Sequence, residues 1–302
     1  MPTSSEPVPS LDARRVGLVG DWFGTSARDL PWRRPECTSW GVLVSEVMLQ
    51  QTPVARVLPV WRAWMSRWPE PSDLAAATQA DAVRAWERLG YPRRAKRLWE
   101  CARTLVERHE GLVPADAEAL LALPGVGDYT ASAVRAFAFG QRAVVLDTNV
   151  RRVLARAWQG EPLPPVSLKR AERELAERVA PVAPQAAAVW AVASMELGAL
   201  VCTARAPRCS ECPLEHACEW VAGGRQGLDQ APRRTQAWHG TDRQVRGRIV
   251  ALLREAQGPL VVEGREALAD VEPGQLDRCL ESLLVDGLVA LVDADRGLCE
   301  LA

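Results

Sequence analysis

The chain has 302 residues, 48% of them hydrophobic, and a formal net charge of -1. That length and composition allow one large globular domain or two smaller ones, and the near-neutral charge leaves only local patches to meet a nucleic acid. No run of eighteen apolar residues occurs, so no membrane span is expected and the expected compartment is the cytoplasm.

Residues 1–12 read as a disordered polar tail. From Asp12 to about Val221 apolar residues recur at three and four, as in Val16, Val19 and Phe23 and in Val83, Trp86 and Leu89. Breaks fall at Trp68-Pro69-Glu70-Pro71 and Leu112-Val113-Pro114. The fold expected over residues 13–221 is therefore mainly α, a compact set of short-linked helices. Trp61, Trp64 and Trp68 share one helical stripe, which reads as core. Residues 222–241, with Gly-Gly-Arg and Pro-Arg-Arg, read as a linker. In residues 242–302 a helix is expected around Val245, Ile249, Leu252 and Leu253, and a second near Pro273–Asp286. A hairpin of Leu288–Val292 with Leu298–Leu301 follows. Such an order resembles a small winged-helix-like α+β module.

Two arginine clusters, Arg93-Arg94-Lys96-Arg97 and Arg151-Arg152-Arg156, read singly as solvated helix faces. The cysteines carry more information. Of the eight, Cys37, Cys101, Cys279 and Cys299 are scattered and read as small core residues, while Cys202, Cys209, Cys212 and Cys218 stand as C-x6-C-x2-C-x5-C. Four thiolates on one short loop can enclose a [4Fe–4S] cluster or hold a structural zinc, and the spacing leaves both open.

Leu123-Pro124-Gly125-Val126-Gly127 lies between two helical patterns. Gly125 and Gly127 let the backbone turn tightly, and the amides opening the next helix favour an anion such as a phosphate. Glu46 is flanked by Val44, Val47, Met48 and Leu49, an apolar setting expected to raise a carboxyl pKa and to suit an acid near neutral pH.

Taken together, the cysteine loop, the LPGVG turn, Val145-Leu146-Asp147-Thr148-Asn149-Val150, Leu30-Pro31-Trp32-Arg33 and Val44 to Thr52 resemble the MutY-type adenine DNA glycosylases of the endonuclease III, or helix–hairpin–helix, superfamily. The resemblance covers roughly residues 13–221. It implies a [4Fe–4S] cluster on Cys202, Cys209, Cys212 and Cys218. It also implies a monomer acting on double-stranded DNA that carries adenine opposite 8-oxoguanine or guanine. By resemblance Glu46 protonates the adenine and Asp147 stabilises the cationic sugar, with Tyr129 and Asn149 placing them. Arg33 and Glu196 lie near the extruded adenine. Gln51 and Tyr91 wedge into the vacated stack, and Thr52 lies near the opposing base. Gly125 and Gly127 belong to the hairpin that grips the backbone.

Tyr129 stands where bifunctional relatives carry a Schiff-base lysine, which implies a monofunctional enzyme using water. Three features depart from the family pattern: Thr148 after Asp147, Pro92 after Tyr91, and a C-terminal segment shorter than the Nudix-like domain of many members. Two other readings remain: a mismatch thymine-DNA glycosylase of the same fold, and a non-enzymatic, redox-responsive DNA-binding protein.

Overall fold

In the computed structural model the described residues are 10–228 and 239–302. Most of the expected tail (1–12) and half of the expected linker (222–241) lie outside them. The described residues fall into two compact units built from interleaved stretches: 10–42, 115–121 and 126–228 in the first, and 43–114, 122–125 and 239–302 in the second. No described helix is long and apolar enough to cross a membrane.

The helices in chain order are α1 (Leu11–Ser26), α2 (Ser39–Leu49), α3 (Val54–Arg67), α4 (Pro71–Ala76), α5 (Gln79–Ala85), α6 (Arg93–Arg108), α7 (Ala117–Leu121) and α8 (Asp128–Phe137). They continue with α9 (Thr148–Gln159), α10 (Arg170–Val179), α11 (Pro184–Leu200), α12 (Glu219–Ala222), α13 (Asp242–Glu255) and α14 (Pro273–Val285). Local chemistry sets many of their ends. Ser10 caps α1, Thr78 and Asp81 form a reciprocal capping box on α5, and proline opens α4, α11 and α14. Gly160, at φ 72°, closes α9.

The stripe Val83, Trp86, Leu89 does not run along one helix as its spacing suggests. α5 stops at Ala85 and Glu87 turns left-handed at φ 49°, yet all three side chains stay buried. Apolar periodicity therefore marked the core correctly and the helix end wrongly.

The core of the first unit packs Val19 of α1, Val150, Val153, Leu154 and Ala157 of α9, Leu175 and Val179 of α10, and Trp190, Ala193 and Leu197 of α11. Trp158 meets Trp190 edge to face at 5.8 Å. The cysteine loop packs on this core through Leu214, which is 2% exposed.

The second unit centres on tryptophans. Trp64 packs edge-on against Trp68 and Trp86, and its indole donates to the Ala85 carbonyl at 2.8 Å. Trp61, Trp64 and Trp68 are all buried, as the stripe implied. In the C-terminal segment α13 packs on α14 beside a three-stranded antiparallel sheet of order β1-β3-β2, with β1 Leu260–Val261, β2 Val289–Asp293 and β3 Leu298–Leu301. Leu260 pairs with Cys299 on one side of β3, and Val289 pairs with Leu301 on the other.

Candidate active site and cysteine loop

Asp147 is the N-cap of α9, which fixes its carboxylate by backbone geometry. Its Oδ1 accepts from the amides of Asn149 (2.9 Å) and Val150 (2.7 Å), and its Oδ2 accepts from Asn149 Nδ2 at 2.6 Å. Burial pushes the carboxyl above the ordinary aspartate value, and these hydrogen bonds work against that rise. Asn149 is oriented in turn, because its Oδ1 accepts from Arg152 Nη2 at 2.8 Å. Arg152 also donates to the carbonyls of Gly198 (2.7 Å) and Cys202 (2.6 Å). Threonine after Asp147 leaves both Asp147 and Asn149 in place.

α11 supplies Glu196, whose side chain is fully buried. Arg28 grips it through Nε at 2.8 Å and Nη2 at 2.6 Å, and Arg33 Nη2 reaches it at 2.8 Å. Burial alone would raise the Glu196 pKa, but the hydrogen bonds of the two guanidiniums outweigh it and hold the carboxyl at about 2. Arg33 Nη1 is buried without a hydrogen-bond partner among the described residues. A buried, unpaired donor beside a fixed carboxylate is set up to meet an acceptor on a ligand. Two residues along, Gly198 lets α9 and α11 touch: a Cβ there would meet Asn149 Cβ at 2.7 Å and its carbonyl oxygen at 2.8 Å.

Tyr129 lies in the first turn of α8, packed against Ala133, Ala136, Val145 and Ala191. It lines an open groove with Ser132, Leu146 and Leu168. The two hairpin glycines differ. Gly125 has φ +80°, and a Cβ there would strike Arg97 Cβ at 2.8 Å, so the turn requires glycine. Gly127, the N-cap of α8, has no described atom within 4 Å of such a Cβ.

In the second unit Glu46 is buried on α2, 4% exposed, as its apolar neighbours implied. α2 runs into the turn bearing Gln51 and Thr52. Gln51 takes φ 54° and Tyr91 φ 50°, so both expected wedge residues occupy the left-handed region that side chains with a Cβ rarely adopt. Arg94, in the first turn of α6, holds both tips. It donates to the carbonyls of Val47 (3.0 Å), Met48 (3.0 Å), Gln50 (2.6 Å) and Gly90 (3.0 Å) and to Thr52 Oγ1 (3.0 Å). Thr52 Oγ1 also reaches the Leu89 carbonyl at 3.3 Å.

Cys202, Cys209, Cys212 and Cys218 line one small cavity with Arg156 and Trp220. Arg156 donates to Cys202 Sγ at 3.3 Å and to the carbonyls of Thr203 (2.7 Å) and Ala204 (3.1 Å). Arg15 of α1 ties the far end of the loop through the Ala217 carbonyl and Glu219. Four sulfurs around one cavity, with a guanidinium against one of them, form a donor set suited to a thiolate-ligated centre. Among the described residues no group of three or more His, Cys, Asp or Glu is arranged for a single metal ion.

Neither arginine cluster is simply a solvated face. Arg152 and Arg156 are 8% and 1% exposed, and Arg151 pairs bidentately with Glu172 through Nε and Nη2. Arg93, Arg94 and Lys96 likewise have protein partners, while Arg93 and Arg97 both keep most of their surface exposed, Arg97 beside Glu100. Many of their partners lie far away in sequence, so charge patterning had no means of finding those. Arg28 was missed for the same reason.

The sequence matches the HhH-GPD family model, described as a superfamily of base excision DNA repair proteins, over residues 44–181. It is 51% identical to an adenine DNA glycosylase of Mycobacterium tuberculosis over 94% of this chain and 93% of that protein. It is 50% identical to one of Mycolicibacterium smegmatis over 89% and 90%. Among solved structures, a thermostable thymine-DNA glycosylase superposes with TM-score 0.62 at 26% identity, covering 70% of this chain and 97% of that one.

Proposed function

The chain belongs to the HhH-GPD superfamily of base excision DNA repair proteins, and from that premise we propose that it is a monofunctional adenine DNA glycosylase. It hydrolyses the N-glycosidic bond of adenine paired with 8-oxoguanine or guanine in duplex DNA. The observation that carries this reading is the pairing of Glu196, held anionic, with Arg33, whose buried Nη1 lacks a partner among the described residues. Together they offer an acceptor and a free donor to the edge of an extruded base.

Each residue then has a task. Glu46 gives a proton to the adenine N7, which makes the base a leaving group. Asp147, its carboxylate fixed by two amides and Asn149, balances the positive charge that develops on the sugar. Water attacks the sugar carbon as the C–N bond breaks, and Glu46 takes the water's proton. Tyr129, lacking an amine, forms no Schiff base, so the strand is left intact. Gln51 and Tyr91 fill the space the base leaves, and Thr52 lies toward the opposite strand. Gly125 and Gly127 shape the hairpin whose amides meet a phosphate. The enzyme works as a monomer in the cytoplasm.

Cys202, Cys209, Cys212 and Cys218 hold a [4Fe–4S] cluster, which when bound supplies a rigid covalent frame for the loop. Support comes from the shared cavity and from Arg156 against Cys202 Sγ. Anaerobic iron and sulfide analysis tests this: about four irons per chain is expected, and stoichiometric zinc would overturn it.

The decisive experiment is single-turnover cleavage of A:8-oxoguanine, A:G and T:G duplexes followed by alkali. Adenine release is expected from the first two. Faster processing of T:G than of either adenine duplex would sink the reading in favour of a thymine glycosylase. Unchanged function in Glu46→Gln would favour a non-enzymatic DNA-binding role.

A further inference from the structure

The C-terminal segment has no part in the chemistry above, yet it reaches the wedge. Tyr91 sits half-exposed in a left-handed conformation after Gly90, itself at φ 81°. Two guanidiniums lie over its ring. Arg94, on the helix that follows Tyr91, has Cζ 5.6 Å from the centroid. Arg243, in the first turn of α13, is closer at 4.3 Å.

α13 is not loosely placed over that ring. Asp286, at the end of α14, has a side chain only 7% exposed and accepts from Arg93 of α6 at 2.5 Å and from Arg246 of α13. Lys96 of α6 donates to the Asp286 carbonyl at 2.8 Å. Gln79 of α5 reaches the carbonyls of Gly287 (2.6 Å) and Ala302 (3.0 Å). The Asp286 carboxylate thus joins α6 to α13, through a residue two positions after Tyr91 and a residue three positions after Arg243. This clamp holds the position of α13, and with it Arg243, relative to Tyr91.

We propose that Arg243 is a positioning residue for Tyr91, and that the C-terminal segment braces the wedge so that it can fill the vacated stack. The inference rests on the wedge role given to Tyr91 above. A guanidinium over a tyrosine face is attracted by the ring quadrupole and restricts the ring's rotation. The cost of ordering the wedge is then met within the protein before DNA arrives, which favours extrusion without touching bond cleavage.

The test places 2-aminopurine beside the target adenine opposite 8-oxoguanine and follows its fluorescence as a measure of unstacking, with full-length protein. Adenine release is measured in parallel under single turnover. Arg243→Ala is expected to weaken unstacking by about two- to five-fold, the range an exposed cation–π contact supplies, with Arg243→Lys recovering part of it. In a Tyr91→Ala background the same change is expected to have no further effect. Arg296→Ala, in the same segment but away from the tyrosine, serves as the control.

Wild-type unstacking by Arg243→Ala would overturn the proposal. So would an equal loss in the Tyr91→Ala background, since the arginine would then act on DNA directly or through stability. A wild-type protein that unstacks the probe but releases no adenine would sink the glycosylase reading, while the fluorescence comparison would still decide the brace.

Discussion

Gly198→Ala tests whether the contact between α9 and α11 sets the position of the proposed catalytic carboxylate. The added Cβ would lie 2.7 Å from Asn149 Cβ, 2.8 Å from its carbonyl oxygen and 2.9 Å from its carbonyl carbon. That is about 1 Å short of ordinary carbon–carbon contact. Backbone atoms cannot turn aside as a flexible side chain can, so the first turn of α9 must shift. Asn149 moves with it, and so does Asp147, which accepts two hydrogen bonds from Asn149 and one from the Val150 amide. Overpacking of this kind costs about 1–3 kcal/mol of stability. A misplacement near 1 Å at a reacting group costs on the order of a hundredfold in rate. The expected result is thus a folded protein with a modestly lower Tm, near-normal binding of uncleavable duplex, and adenine release slowed about a hundredfold. The assay is single-turnover excision at a temperature well below both melting transitions. A variant that releases adenine at the wild-type rate would show that the contact does not govern the site.

Four further outcomes follow from the same geometry. Asp147→Asn is expected to abolish excision yet raise Tm at neutral pH, because it removes the burial cost of a charge and keeps an oxygen to cap α9. The raised native pKa makes the wild type lose stability as pH rises through and above the ordinary value of 3.8, so the gap between the two should close below that pH; a gap that persists there would refute the burial account. Glu196 has the opposite sign: its stabilising share is present above its ordinary value of 4.5 and is lost as pH falls toward about 2, which Glu196→Gln should eliminate from an acid-unfolding profile. Arg152→Lys should leave the fold intact and slow excision about tenfold or more, since it removes the charge-assisted bond orienting Asn149. Arg94→Lys should lower stability by about 2 kcal/mol, because several of the carbonyls it serves are left unpaired, and a calorimetric Tm equal to wild type would count against that role.

The local features of this protein were legible in its chain. Helical periodicity, proline and glycine breaks, the cysteine spacing and the LPGVG turn are statements about neighbours in sequence, and short-range geometry obeys them. Asp147 capping α9 and the burial of Glu46 belong to that class, because a cap and an apolar helix face are set within a few residues. Arginines were the opposite case. Arg94, Arg152 and Arg156 sit in charge runs that look like solvent-facing surface, and each instead spends its guanidinium on carbonyls, a hydroxyl or a thiol brought near by folding. Their meaning depends on acceptors up to 50 residues away in sequence, and no pattern of charge encodes that. Arg28 and Arg33 closing on Glu196, and Arg243 lying over Tyr91, were decided the same way. A long flexible cation takes its role from whichever buried acceptor the packed backbone leaves unpaired, and only the tertiary structure fixes where that acceptor is.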